Sequence, residues 1–245
     1  MCSSDLLAMT TTGTANFNLD FAELAEEAWE RAGSEMRSGY DLRTARRSLN
    51  LLTIEWQNRG LNLWTLDDGV INLVQGTSEY DIPADTIDLL DHVIRTGSGS
   101  ASTQADLTIS RISSSTYSSI PNKLQQGRPI QVWVRRLRDN PKIVVWPTPD
   151  QGTALSPYYI FKYWRMRRIE DAGNGGNTLD VSFRFLPALA AGLAYYIAMK
   201  VPDLAGRLQM LKQEYEAQYD LAAGEDREKA SVRFVPRRGF IGAGS

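Results

Sequence analysis

The chain has 245 residues, 42% of them hydrophobic and 23% charged, with 27 basic and 29 acidic side chains and a formal net charge of −2 at pH 7. This composition suits one sizeable core or two smaller ones and excludes a chain disordered throughout. A single cysteine, Cys2, excludes an internal disulfide, and a single histidine, His92, excludes the usual zinc ligand sets.

The first sixteen residues are small and polar and lack the basic start and apolar centre of a signal peptide, so residues 1–18 are expected to be a flexible or non-native N-terminus. Asp20 can cap a helix with Glu23 reaching back. Behind it Phe21, Leu24, Ala25, Ala28 and Trp29 fall on one helical face, Glu23, Glu26, Glu27 and Glu30 face water, and Gly33 stops the helix. A second helix is predicted from about Asp41 to Arg59, with Leu42, Ala45, Leu49, Leu52 and Trp56 as its apolar seam and Gly60 as its stop. Residues 19–64 therefore read as a helical hairpin.

From Trp64 onward the period changes to that of strands. Val70 to Val74 and Glu79 to Ile82 read as strands joined across Gln75-Gly76-Thr77, followed by Leu89 to Arg95 and a polar loop over 97–104. The clearest sheet signal is a hairpin of Pro129 to Leu137 with Lys142 to Trp146 around Asp139-Asn140-Pro141. Tyr158 to Met166 adds an aromatic strand, and 173–177 reads as an exposed loop. Residues 65–180 thus form a β-rich portion.

Two helices follow over 181–225. Leu186, Leu189, Ala190, Leu193 and Ile197 make a core stripe, with Pro187 tolerated in the first turn. The uncharged run Phe185 to Met199, fifteen residues, is shorter than the roughly 18 a membrane span requires and reads as a buried core helix. Asp203 is predicted to cap the last helix, where Leu204, Leu208, Leu211, Tyr215 and Tyr219 recur at helical spacing. The order helices, strands, helices predicts an α+β fold, with a bundle formed by both termini and a central β-rich portion.

Charge is unevenly spread. Residues 1–100 hold 7 basic and 16 acidic side chains, and residues 101–169 hold 11 basic and 3 acidic, which predicts an acidic and a basic face suited to stacking of copies. The chain ends, at 226–245, in an arm whose cations Arg227, Lys229, Arg233, Arg237 and Arg238 alternate with Val232, Phe234, Val235 and Phe240. Such an arm cannot easily bury its apolar residues on its own, and a neighbouring subunit offers them a place; the alternative from composition is a disordered tail.

Candidate chemistry is thin. The serines at 113–115 and 118–119 lack an evident base, and His92 lies on a predicted strand. Glu26-Glu27 reads as a solvated helix face and Asp67-Asp68, before Gly69, as a turn. Asp81, Asp85, Asp88 and Asp91 lack the spacing of a calcium loop, and neither 97–99 nor 239–244 has a Walker lysine, so no metal, nucleotide or other cofactor is expected and no enzyme is read here. The cations Arg135, Arg136, Arg138, Lys142, Lys162, Arg165, Arg167 and Arg168 among Trp133, Trp146, Tyr163 and Trp164 allow a second reading, a nucleic-acid-binding module on strands 129–168, and equally suit an acidic protein.

Four blocks carry a likeness: the stretch from Ala45 to Trp64 (Ala-Arg-Arg-Ser-Leu-Asn-Leu-Leu-Thr-Ile-Glu-Trp-Gln-Asn-Arg-Gly-Leu-Asn-Leu-Trp), Gly76-Thr-Ser-Glu-Tyr80, Ile120-Pro-Asn-Lys123 with Gly127-Arg-Pro129, and Leu186-Pro-Ala-Leu-Ala-Ala-Gly-Leu-Ala-Tyr195. In that order, from about residue 19 to Pro236, the chain resembles head-to-tail adaptor proteins of tailed bacteriophages, the head-completion or packaged-DNA-stabilising family. The resemblance implies a structural virion protein at the head–tail junction, assembled in the host cytoplasm without a membrane. It implies identical subunits in a ring of twelve beneath the portal protein, double-stranded DNA passing through without sequence-specific binding, and a distal tail component of nozzle or stopper type. It assigns portal docking to Arg227, Lys229, Arg233, Phe234, Arg237 and Arg238. Because DNA must slide past the channel wall, Asp67, Asp68, Asp81, Asp85, Asp88 and Asp91 are expected to form a lumen or lower-rim acidic surface.

Overall fold

The computed structural model describes residues 13–15, 17–60, 63–174 and 176–226. Its first helix, α1 (Phe21–Ala32), starts at the foreseen capping box, in which the Asp20 carboxylate accepts from Glu23 N at 2.8 Å and Asp20 N donates to Glu23 at 3.2 Å. It ends at Gly33, whose positive φ of 95° is the left-handed conformation that glycine adopts without a Cβ penalty. The second helix, α2 (Gly39–Arg59), begins two residues earlier than predicted, because Ser38 and Asp41 form a second reciprocal cap.

The helices α4 (Leu186–Ala198) and α5 (Leu208–Glu225) complete a bundle. Helix α4 is its axis: ten of its thirteen residues are buried, and it packs on α1, α2 and α5. One core holds Phe21, Leu24, Leu49, Leu52, Trp56, Phe185, Leu189, Leu193 and Tyr215 together. Asp203 does not cap α5. It sits in a 3-10 turn, Pro202–Arg207, that runs straight into the helix, so the turn's own carbonyls take the first N–H groups and no side-chain cap is required.

Between the helices lie two four-stranded sheets. The first has the order β1 (Leu66–Asn72), β8 (Tyr159–Arg167), β3 (Thr86–Thr96), β4 (Ala105–Thr108), antiparallel throughout. The second has the order β2 (Glu79–Asp81), β7 (Lys142–Trp146), β6 (Gln131–Arg135), β5 (Ser110–Arg111), where β5 pairs with β6 in parallel and the predicted β6–β7 hairpin is present. A short helix α3 (Ser114–Ser118), capped by the Ser113 hydroxyl, links β5 to β6. A second core, with Leu73, Ile82, Ile94, Val132, Ile143 and Phe161, fills the space between the sheets. The architecture is α+β, with helices at both ends of the chain and strands in the middle.

The segments 70–74 and 79–82 are joined across the expected turn but enter different sheets: β1 joins β8 in one and β2 joins β7 in the other. Alternation marks a strand but not its partner. The crossing is a turn at Gly76, φ 76°, tied by the Tyr80 hydroxyl, which donates to Thr77 O at 2.8 Å and accepts from Val74 N at 2.8 Å. Asp67-Asp68-Gly69 is not a turn but the opening of β1. There Asp67 lies opposite Arg165 and Gly69 opposite Tyr163, whose ring would collide with a Cβ at Gly69. Bundle and sheets are joined by an Arg167–Asp180 ion pair, by Trp64 Nε1 donating to Asp180 O at 3.2 Å, and by Ala172 N donating to Asn50 at 3.0 Å.

Candidate functional site

The arm cations Arg227, Lys229, Arg233, Arg237 and Arg238, with Phe234, lie outside the described residues. What is described is their point of departure. At the end of α5, Glu225 faces Arg184 at 3.4 Å and the Asp226 carboxylate accepts from Leu63 N at 3.0 Å, which holds residues 225 and 226 near the start of α4.

The six aspartates expected to form one acidic surface are spread over β1, β2, β3 and the approach to β3, and most of them meet cations of the basic strands. Asp67 and Asp85 hold the buried Arg165 guanidinium from two sides, at 2.9 and 2.6 Å. Burial raises the Asp85 pKa, and the hydrogen bond and charge of Arg165 more than offset this and hold it below the ordinary value. Asp68 faces Lys162 at 3.4 Å, Asp81 faces Lys142 at 3.4 Å, and Asp88 takes Arg111 at 2.8 Å and also Arg136. Asp91 is exposed and accepts from His92 N at 2.7 Å.

The acidic and basic stretches of the sequence therefore do not become separate faces. Strand pairing brings them together, since acidic β1 and β3 flank basic β8 in the same sheet. In the second sheet Glu79 is gripped by Arg135 at 2.6 Å and Lys142 at 2.8 Å, and the Lys142 hydrogen bond is the main reason its pKa is lowered. Of the aromatics between these cations, Tyr163 is core, Trp133 stacks on Tyr117 at 5.1 Å, and Trp164 carries Lys162 over its ring at 5.1 Å. With most of its cations paired among the described residues, Arg168 being the exception among the eight, and its rings engaged, the 129–168 region offers less of the free positive field that nucleic-acid binding by itself demands.

His92 is buried and stacks on Phe161 at 5.9 Å, and neither ring nitrogen has a partner of hydrogen-bonding geometry. Burial is the main reason its pKa is lowered from the ordinary imidazole value. Ser113 is occupied in capping α3, its hydroxyl accepting from Thr116 N at 3.2 Å. Among the described residues no group of three or more His, Cys, Asp or Glu side chains could hold a metal, and no helix is long and apolar enough to cross a membrane.

Sequence reading missed two surface features, both on the bundle. A groove of about 930 Å³ runs between the glutamate face of α1 and the start of α4, with Phe17 and Phe183 at its mouth. On the outward side of α2, Tyr40, Leu51 and Ile54 are each more than half exposed. A second apolar stripe opposite the core seam was the available signal: positions 40, 43, 47, 51 and 54 share one helical face, the side away from Ala45, Leu49, Leu52 and Trp56.

Fold and surface together define a class: an α+β protein whose exposed apolar faces, bordered by charge, are of the kind that marks protein–protein contact. The profile of the SU10 adaptor protein family matches residues 19–238, nearly the whole chain, and the chain belongs to that family. It is a bacteriophage structural adaptor, as the four sequence blocks implied. Among curated proteins no sequence matches it.

Proposed function

We propose that this chain is a head-to-tail adaptor of the virion: twelve copies, assembled in the host cytoplasm, form a ring beneath the portal protein, extend the DNA channel, and present their lower face to the next tail component, of nozzle or stopper type. The observation that carries this reading is the family match, which runs through Arg238 and so includes the whole basic stretch of the arm. Arg227, Lys229, Arg233, Phe234, Arg237 and Arg238 dock the ring to the portal, their cations meeting acidic portal surface while Phe234 fills an apolar pocket. The ion pair of Arg184 with Glu225 and the bond from Leu63 to Asp226 anchor the two residues that precede this stretch, which supports the reading.

The β-rich part supplies lumen or lower-rim wall, with Asp67, Asp68, Asp81, Asp85, Asp88 and Asp91 on it. Double-stranded DNA passes without sequence-specific binding, in keeping with cations already neutralised by these aspartates and by Glu79. The chain acts as a mechanical coupler with no catalytic turnover. Deleting residues 227–245 leaves the bundle and sheets folded and abolishes capture by immobilised portal protein. Full capture of the truncated chain would reject the docking assignment.

A further inference from the structure

We propose that neighbouring copies of this chain meet head to tail, the outward stripe of α2 on one copy seating in the groove between α1 and α4 on the next. This deepens the ring reading above by naming the contact, and rests on that reading only for the closure of the chain of copies into a ring.

The groove is the acidic partner. Its floor is apolar, with Leu19, Leu186, Pro187 and Ala190, and its wall is the glutamate face of α1. Glu23 serves the capping box and Glu27 pairs with Arg31 at 2.6 Å, whereas Glu26 and Glu30 have no cation within ion-pair distance among the described residues. Phe17 and Phe183 stand exposed at its mouth.

The α2 stripe is the basic partner. Tyr40, Arg43, Arg47, Leu51 and Ile54 place two adjacent cations between apolar side chains along one face. Among the described residues Arg43 reaches only Gly39 O at 3.3 Å and Arg47 only the Thr44 hydroxyl at 3.4 Å. Beside them Lys200 donates to Ser48 at 2.6 Å, and burial, then the neighbouring Arg47, lowers its pKa. The acidic side chain bordering this stripe, Asp41, is turned to the helix start, where it accepts from Ser38 N at 3.0 Å and Arg37 N at 3.1 Å.

Each surface thus lacks what the other carries. They share no residue, so a copy can use both at once, which is a heterologous contact. A two-fold contact of either surface with itself would set like charges against each other.

The test is sedimentation velocity on the full chain over a concentration series, alone and with purified portal protein. E26R/E30R and R43E/R47E each change only exposed side chains, so far-UV circular dichroism and melting stay as in the parent. Each alone weakens association of copies by roughly tenfold or more, and an equimolar mixture of the two recovers it, since one then carries two basic faces and the other two acidic ones. Unchanged association in either variant, no recovery in the mixture, or a parent chain that stays monomeric in both conditions overturns the proposal. The chain 1–226 also keeps the association. Loss of it there, with R43E/R47E unaffected, would make the basic arm the groove's occupant and overturn the proposal as well. Portal capture is scored separately, so a failure of docking and a failure of this interface are told apart.

Discussion

Arg165 shows how much of the sheet's energetics rests in one side chain. Its guanidinium is buried at the centre of the first sheet and holds Asp67 on β1 and Asp85 ahead of β3, while also donating to the Thr86 hydroxyl at 2.9 Å. Removing one partner of a fully buried pair costs about 3–5 kcal/mol, but both aspartates are nearly half exposed and can rehydrate, so Arg165→Met is expected to cost about 1–3 kcal/mol by denaturant unfolding. The pH dependence follows from Asp85, whose pKa is depressed in the folded state. Its contribution is fully present above the unfolded carboxyl pKa of about 3.9 and is lost as pH falls through the folded value. The parent chain therefore loses stability below about pH 4 more steeply than Arg165→Met, a difference read from melting temperatures between pH 6 and pH 2.5.

A second residue-scale constraint sits in the bundle. Trp56 Nε1 donates to the Tyr215 hydroxyl at 2.9 Å, which in turn donates to Glu55 at 3.2 Å, and Arg59 lies over the Tyr215 and Tyr219 rings while pairing with Glu55 and Glu216. Tyr215→Phe keeps the ring and removes only the hydroxyl, leaving the indole N–H buried without a partner, at an expected cost of about 1–3 kcal/mol. Equal denaturation midpoints for the two proteins would contradict the role given to this hydrogen bond.

At the scale of elements, helix α4 shows packing overriding propensity. Alanine is the better helix former, yet a Cβ at Gly192 would stand 2.9 Å from both Leu52 Cδ2 and Tyr215 Cε2. Gly192→Ala should therefore lower the melting temperature, since overpacking costs about 1–3 kcal/mol against a propensity gain of about 1 kcal/mol. The two sheets have a matching hierarchy: β8 is bonded on both sides, whereas β1 and β4 are edges. Amide hydrogen exchange should be slowest in β8 and faster in β1 and β4.

The helices were legible because their signals are local. Asp20 with Glu23, the 21-24-25-28-29 face and Gly33 specify α1 from within the segment itself. The β6–β7 hairpin was legible for the same reason, its partners being separated only by the short loop 136–141. Strand β1 was not, because Asp67-Asp68-Gly69 has poor strand propensity until Arg165 and Tyr163 arrive opposite it from almost a hundred residues away. The 3-10 turn in place of an Asp203 cap has a similar origin, since its continuous backbone bonding leaves no trace in side-chain spacing.

For the molecule as a whole, the lesson concerns charge. Acidic residues in 1–100 and basic residues in 101–169 suggested opposite faces, but β1, β3 and β8 interleave them and Arg165, Lys162, Lys142 and Arg111 find their anions within the same subunit. Charge without an ion-pair partner among the described residues also stands on the bundle, as Glu26 and Glu30 on α1, which sequence reading saw only as a solvated face, and Arg43 and Arg47 on α2.

The proposed coupling of portal to tail is tested by imaging of adaptor–portal complexes at subunit resolution. It predicts a ring of copies seated on the portal, bundle contacts running head to tail around it, and density for residues 227–238 laid against portal subunits. A complex in which the chain leaves the portal bare, or in which that segment touches only its own subunit, would contradict it.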